Sequence, residues 1–313
     1  MRLLTFKGGD GYQMGVQVGD RVLDVAGAQE ALGGPYKDLI TSCMRGFIES
    51  GAAGLHLLGN LVTTARGVEN VWWDLSSVTL GPPVLRPNKF LALATNYREH
   101  IAEGTWTNMP KPEDTITPYV FMKPPSTTIS ATEQPIVLPK VGVAIDWEAE
   151  LGVIIGKKGK YIPETEAWDY VFGYTLINDV SERKLFAAQE RTFKRENDRF
   201  FDWLNGKWLD GFAPTGPVLV TKEEIVDAQN LHIQLRVNDQ IMQDFHTGDM
   251  IFTIPQIIAF ISRIMTLEPG DLIATGTSSG VGSARGVYLK DGDVVDIEGE
   301  KIGVLRNPVV AEK

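Results

Sequence analysis

Residues 144–158 read AIDWEAELGVIIGKK, and both the fold and the chemistry turn on them. Asp146, Glu148 and Glu150 alternate with Trp147, Ala149 and Leu151 before the chain becomes almost wholly apolar. Residues two apart in a strand share a face, so Glu148 and Glu150 are expected to project together, with Cα atoms roughly 6.6 Å apart. The following LGVIIG reads as buried strand, and ionised groups leading into a low-dielectric interior are costly unless paired or metal-bound. Taken alone, the acids could equally line a solvated strand edge.

Outward from this stretch the pattern stays β-like. FLALATN (90–96), YVFMK (119–123), VFGYTLIND (171–179), PVLVT (217–221), LHIQLRVN (231–238), DLIATG (271–276), VVDIEGE (294–300) and KIGVLRN (301–307) are short apolar runs bounded by Gly, Pro, Asn or Asp. Many short strands without alternating long helices indicate a closed or highly coiled β architecture. The exceptions are a segment around 181–204 and IPQIIAFISRIM, 254–265, where Pro255 sits near a helix start and its missing N–H costs little.

Toward the N-terminus, RLLTF, YQMGVQVG and RVLDV read as strands separated by Gly-Asp turns. Residues 36–65 carry apolar positions at helical spacing with a break near Gly51, which predicts two helices. Prolines and turn residues cluster in SSVTLGPPVLRPNK, 76–89. The expected organisation is therefore mixed and mainly β: a small N-terminal α+β domain over 1–75 and a larger domain over 76–313.

Composition narrows the function classes. A 313-residue chain with 43% hydrophobic residues can bury a sizeable core. Its formal net charge of -10, from 40 acidic and 30 basic residues, speaks against a nucleic-acid surface and against attraction to anionic membrane. The lone Cys43 excludes an internal disulfide and a multi-cysteine zinc site, so a reducing cytoplasm is expected. Within its apolar helical pattern Cys43 reads as core packing rather than as a nucleophile. The apolar run in MRLLTFKGGDG is too short for a secretory signal, and MIFTIPQIIAFISRIM is broken by Pro255, Gln256 and Arg263, so no membrane span is expected.

A third acid, Asp179, ends the buried-looking GYTLIND run, although an Asp at a strand end is often only a turn former. With Glu148 and Glu150 it makes an all-oxygen ligand set that suits Mg²⁺ or Mn²⁺ and suits zinc poorly. TNYREHIAEG (95–104) places His100 three residues before Glu103. On a helix these share a face, so Glu103 can set the tautomer of His100 and make it a general base; the plain alternative is a surface His beside an ordinary carboxylate. His56, His232 and His246 show no comparable neighbour in the sequence. GDLIATGTSSGVG (270–282) has neither the phosphate-loop nor the dinucleotide spacing, but it could present backbone N–H groups and the Thr277 hydroxyl to a carboxylate, or be a plain turn.

In this order the segments resemble the fumarylacetoacetate hydrolase family over roughly residues 76–309, through NYREHIAE, VFMKPPST, WEAELGVIIG, GYTLINDVSER, NGKWLDGFAPTGPVLV, LEPGDLIATGTSSGVG and IGVLRNPV. The resemblance implies a β-roll catalytic domain, a homodimer and a divalent metal, usually Mg²⁺, held by Glu148, Glu150 and Asp179. It implies that His100 and Glu103 form a catalytic dyad, that Lys207 is catalytic, and that Lys123, Arg183 and Thr277 contact substrate. The implied substrates are small 2-oxo or 1,3-dioxo carboxylic acids whose adjacent oxygens chelate the metal. The leading expectation is hydrolysis of a C–C bond in an acylpyruvate-like acid from aromatic-compound catabolism. Alternatives are an isomerase or decarboxylase of a 2-hydroxymuconate or hepta-2,4-dienedioate type acid, or of oxaloacetate, and, outside enzymes, a carboxylate-binding protein on the same fold.

The chain departs from the commoner family pattern between Arg183 and Lys207. Where a Gln often stands three residues after the Arg it has Phe186, with Gln189 only a distant substitute, and KLFAAQERTFKRENDRFFDWLN follows. That insertion reads as an amphipathic surface helix or dimer contact, or else as a substrate wall whose Arg191, Lys194, Arg195 and Arg199 draw in a dicarboxylate.

Overall fold

The computed structural model describes residues 1–9, 11–37, 43–104, 116–185 and 191–313. A twelve-stranded mixed sheet runs, edge to edge, Trp72–Asp74, Arg21–Asp24, Gly11–Val18, Arg2–Gly8, Ala213–Thr221, Val171–Asn178, Ala149–Ile155, Leu272–Ala274, Phe90–Ala94, Tyr119–Met122, with two short strands attached off this path. A five-stranded sheet runs Gln240–His246, His232–Val237, Val294–Gly299, Gly303–Ala311, Ile136–Leu138. Ile145–Asp146 and Ser181–Glu182 pair as a separate ribbon. The mainly β expectation holds.

The central strands explain why their sequences lack clean alternation. Every residue of Ala149–Ile155 and of Val171–Asn178 is buried, because the sheet is covered on both faces. Leu151, Val153 and Ile155 join a core with Tyr174, Leu176, Ile233, Leu235 and Ile297, which fills the space beneath the five-stranded sheet. Ile154 points the other way, into a second core with Phe172, Leu219, Leu272, Leu3, Met14, Phe47, Leu58 and Leu61. Each such aliphatic side chain contributes about 1.5–3 kcal/mol on burial.

The N-terminal segment joins the same sheet, since Arg2–Gly8 pairs antiparallel with Ala213–Thr221. The two helices expected over 36–65 are Met44–Glu49 and Gly51–Thr64, with Gly51 at φ +56 between them; residues 38–42 of that stretch lie outside the described residues. One expectation there is overturned. Cys43 is exposed, because it precedes the first turn of Met44–Glu49 instead of lying within its buried face. Ile254–Ile264 is helical as read, and its start carries a capping box between Thr253 and Gln256.

Topology gathers the chemistry at one end of the large sheet. Ala149–Ile155 begins where its antiparallel neighbour Val171–Asn178 ends, with Ala149 opposite Asn178. Leu272–Ala274 is antiparallel to Ala149–Ile155 and so also ends there, with Ala274 opposite Gly152. Phe90–Ala94 is parallel to Leu272–Ala274, so its carboxyl end faces the same way. The segments that follow these strands, 95–104, 179–183 and 275–283, therefore meet over the acids.

Candidate active site

Glu148 sits in the short break between Asp146 and the strand that opens at Ala149, so the two glutamates do not come from one regular strand. They converge regardless. Carboxylate oxygens of Glu148, Glu150 and Asp179 lie within 4.8 Å of one another, and all three residues are buried. Backbone pairing sets this convergence: the Asp179 N–H donates to the Glu148 carbonyl at 2.9 Å, and the Glu148 N–H donates to Asn178 Oδ1 at 3.0 Å.

Three cations face the acids. Lys207 Nζ donates to Glu148 Oε2 at 2.6 Å and to Asp179 Oδ2 at 2.7 Å. Lys123 Nζ donates to Asp179 Oδ1 at 2.5 Å and to the Val180 carbonyl at 3.2 Å. Arg183 donates through Nη2 to Glu148 Oε1 and through Nε to Asp146 Oδ2 at 2.8 Å. Counting Asp146, four carboxylates meet three cations, which leaves one negative charge without a partner.

That charge falls on Glu150. Its Oε2 accepts the Gly276 N–H at 2.6 Å, but its Oε1 has no hydrogen-bond partner among the described residues. Burial and the charges of Asp179 and Glu148 push the Glu150 carboxyl well above the usual range, only partly offset by Lys207 and the Gly276 N–H. Burial also works against the Glu148 anion, yet Lys207, Arg183 and His100 outweigh it and hold that carboxyl far below the usual range. Lys207 is likewise raised in spite of burial by Asp179 and Glu148, whereas Lys123 is lowered by burial with help from the Lys207 charge. A buried orphan carboxylate oxygen, one uncompensated negative charge and an all-oxygen donor set together fit a hard divalent cation.

The Gly-rich segment 276–283 does something its sequence did not reveal. Rather than waiting for a ligand, its N–H groups bind the protein's own acids: Gly276 to Glu150, Gly280 to Glu103 Oε2 at 2.7 Å, Gly282 to Asp146 Oδ1 at 2.6 Å and Ser283 to Asp146 Oδ2 at 3.0 Å. Gly276 and Gly280 adopt φ +94 and +103, and a Cβ at Gly280 would lie 1.9 Å from the Met242 carbonyl oxygen, so glycine is required at these turns. Thr277 Oγ1 donates to the Ala149 carbonyl at 2.8 Å and accepts from Gln243 Nε2 at 2.8 Å. Its hydroxyl proton is thus committed to the adjoining strand.

His100 and Glu103 lie on the short helix Arg98–Glu103, and the expected pair forms, with Nδ1 to Glu103 Oε1 at 2.9 Å. The bond assigns the proton to Nδ1 and leaves Nε2 as the accepting nitrogen. Glu103 is held from both sides, by His100 and by Gly280, which fixes the imidazole against the acid cluster.

His100, Glu103, Lys123, Glu148, Glu150, Asp179, Arg183, Lys207 and Thr277 thus gather at one end of the sheet. Two others come only from the structure. Asp146 aligns Arg183 with the 282–283 backbone, and Gln243 ties the Ala149 N–H (2.8 Å) to Thr277 and Ser278. Asp146 was legible as an acid without a role; Gln243 lies on the Gln240–His246 strand, whose hairpin through Asn238 and Asp239 gave no clear apolar alternation.

Phe186 and Gln189 lie outside the described residues, and the insertion beyond them forms the helix Asp198–Asn205. The helix agrees with the first of the two readings of this insertion, and two of the four basic residues that the second reading invokes are already engaged. Arg191 pairs with both oxygens of Asp202, and Arg195 Nε bonds Asp198 Oδ1 at 2.9 Å, so local acids offset the charge of these two arginines.

Three carboxylates, two lysines and a His–Glu pair gathered at one sheet end of a mainly β chain are the equipment of a metal-assisted acid–base enzyme. The family model described as fumarylacetoacetate (FAA) hydrolase C-terminal matches residues 89–310, and the chain belongs to that family. It is 35% identical over 316 residues to the mitochondrial oxaloacetate tautomerase fahd2 of Xenopus laevis, covering 99% of this chain and 90% of the relative. The human mitochondrial oxaloacetate tautomerase FAHD2A is 38% identical over 277 residues, covering 88% and 82%. Among solved structures, maleylpyruvate hydrolase from Sphingobium sp. SYK-6 in complex with manganese (II) ion and pyruvate superposes at TM-score 0.76 with 31% identity, covering 100% of both chains. No helix among the described residues is long and apolar enough to cross a membrane.

Proposed function

We propose that the chain hydrolyses a C–C bond in an acylpyruvate-like 1,3-dioxo acid. The observation that carries this reading is the His100–Glu103 pair at 2.9 Å, with Glu103 locked to Gly280 and the buried acids alongside. In this reading Glu148, Glu150 and Asp179 hold Mg²⁺ or Mn²⁺. The chemistry that ion supplies when bound is Lewis-acid polarisation of the substrate's 2-oxo oxygen. The Lys207 ammonium stabilises negative charge developing on the same oxygens, and Arg183 and Lys123 hold positive charge over the site while Thr277 borders it. His100 Nε2 takes a proton from water as the water oxygen bonds to the distal carbonyl carbon. Collapse of that adduct breaks the C–C bond to C3 and releases the distal acyl group as a carboxylic acid, and the imidazolium, steadied by Glu103, returns the proton to C3 to give pyruvate.

A second reading is favoured by the near full-length likeness to proteins named oxaloacetate tautomerases. The same residues would then interconvert keto and enol forms of a 2-oxo dicarboxylate by moving one proton at C3, without water as a reactant. Incubation with acetylpyruvate, maleylpyruvate and oxaloacetate, with Mg²⁺ or with EDTA, separates the two. Hydrolysis yields two fragments, and tautomerisation removes enol absorbance with mass unchanged. CO₂ release would instead identify a decarboxylase. The reading also carries a cytoplasmic homodimer, built from a small N-terminal unit over 1–75 and a catalytic unit over 76–313; light scattering on the eluted full chain checks the dimer.

A further inference from the structure

Lys207 meets two kinds of chemistry. Its Nζ binds Glu148 and Asp179, and it also lies 5.5 Å from the Phe121 ring centroid and 5.9 Å from that of Trp203. These two rings pack edge to face at 5.1 Å and 68°, and Trp203 continues to Phe200 at 5.9 Å and Phe200 to Phe201 at 5.5 Å. Exposure rises along this line. Lys207 is 2% exposed, Phe121 and Trp203 are half-buried, and Phe200 and Phe201 are 56% and 52% exposed. A continuous strip of π surface therefore starts at the buried ammonium and climbs to solvent.

Core packing accounts only for the inner end of the strip: Phe121 rests against the second core, whereas Trp203, Phe200 and Phe201 belong to neither core. The helix that carries Trp203 is already braced by the Arg191–Asp202 and Arg195–Asp198 pairs, and its end is fixed where the Glu182 N–H donates to the Gly206 carbonyl at 2.9 Å. Half-exposed rings beside a buried charge cluster are a costly way to face water. Phe121 stands two residues before Lys123 and Trp203 four before Lys207, so each lysine's own segment supplies one ring.

We propose that Phe121 and Trp203 wall a subsite for the tail of the substrate, and that the tail is a planar, unsaturated or aromatic group. This rests on the reading that the 2-oxo acid head is held at the Glu148, Glu150 and Asp179 end. A flat conjugated tail leaving the head beside Lys207 stacks on Trp203 with its edge toward Phe121, the offset and edge-to-face arrangements that aromatic pairs prefer. A compact tail such as a methyl group reaches neither ring. Trp203 is in this sense a specificity-determining residue contributed by the insertion.

The test is calorimetric binding to the full chain in Mg²⁺, with pyruvate as the head alone and benzylidenepyruvate, which has a planar styryl tail and no enolisable hydrogen. Wild type should bind benzylidenepyruvate about tenfold more tightly than pyruvate, the size of one good aromatic contact. Trp203→Ala should remove that advantage and leave pyruvate binding within about twofold, whereas Trp203→Phe should keep most of it. Tryptophan emission should be quenched by benzylidenepyruvate in wild type and much less in Trp203→Phe. If Trp203→Ala weakens both ligands equally, or neither, the wall is overturned while the head-group reading stands. If wild type binds neither ligand, the head-group reading fails and the subsite fails with it.

Discussion

Two histidine–carboxylate pairs in this molecule have nearly the same bond and different surroundings. His100 Nδ1 meets Glu103 Oε1 at 2.9 Å, and His232 Nε2 meets Asp244 Oδ1 at 2.6 Å. The first pair is 19% and 18% exposed, borders a buried triad of acids and has its carboxylate fixed by the Gly280 N–H. The second is 43% and 51% exposed on the five-stranded sheet, with the His246 ring at 5.0 Å and the Gln234 amide sharing Asp244. The shorter bond belongs to the more exposed pair. A catalytic dyad is defined by what its free nitrogen faces and by how dry the surroundings are, because an exposed pair is screened by solvent.

Substituting each histidine should separate the pairs most sharply. His100→Ala is expected to lower kcat by 10² to 10⁴, the usual worth of a general base, with metal affinity retained. His232→Ala should leave kcat within about twofold. Steady-state rates on the substrate identified above decide it, and comparable losses in both variants would collapse the distinction.

The support of the inner pair can be weakened one step away. Asp146→Asn keeps the side chain's shape but takes away the charge opposite Arg183 and one of its acceptor oxygens. Removing one partner of a buried ion pair costs about 3–5 kcal/mol, and the retained amide oxygen should bring the loss toward the lower figure in urea unfolding. KM for a carboxylate substrate should rise more than kcat falls, since Arg183 loses its alignment.

A pH series probes the unpaired acid. The folded carboxyl of Glu150 is raised above its unfolded value, near 4.3. Above pH about 4.3 the unfolded chain has released a proton that the native chain retains, so without metal this group subtracts stability as pH rises. Glu150→Gln, a neutral mimic, should therefore be more stable than wild type in EDTA, by a margin that widens from pH 4.5 to pH 7. Excess Mg²⁺ should reverse the order, because only wild type keeps the third ligand. Thermal melts with and without Mg²⁺ measure both signs.

The smallest effect belongs to the outer pair. Breaking His232–Asp244 with Asp244→Ala should change stability by about 0.2–1 kcal/mol, and less in high salt.

The same comparison explains what could be read from sequence. Glu103 follows His100 by three residues on one helical turn, so that pair was legible; Asp244 reaches His232 only across a hairpin, and the sequence reading found no partner for it. Glu148, Glu150 and Asp179 were legible as a set because acids stood at the ends of two buried-looking strands. The role of Asp146 was not, since its partners at 183, 282 and 283 come from two distant segments. In the basic insertion the helix was legible, and the pairing of its charges was not. Arg191 and Arg195 look free in sequence, and folding brings them to Asp202 and Asp198 on the helix that follows them.

The acids at positions 103, 146 and 150 are all gauged against the backbone of 276–283. Because the gauge is main chain, its marks are spacings rather than side chains. The half-buried Ser279 could change identity with little consequence, while gain or loss of one residue between Gly276 and Gly280 would throw Glu103 and Asp146 out of register with Glu150. For anyone reshaping this enzyme, the segment is one whose length and glycines both stay fixed.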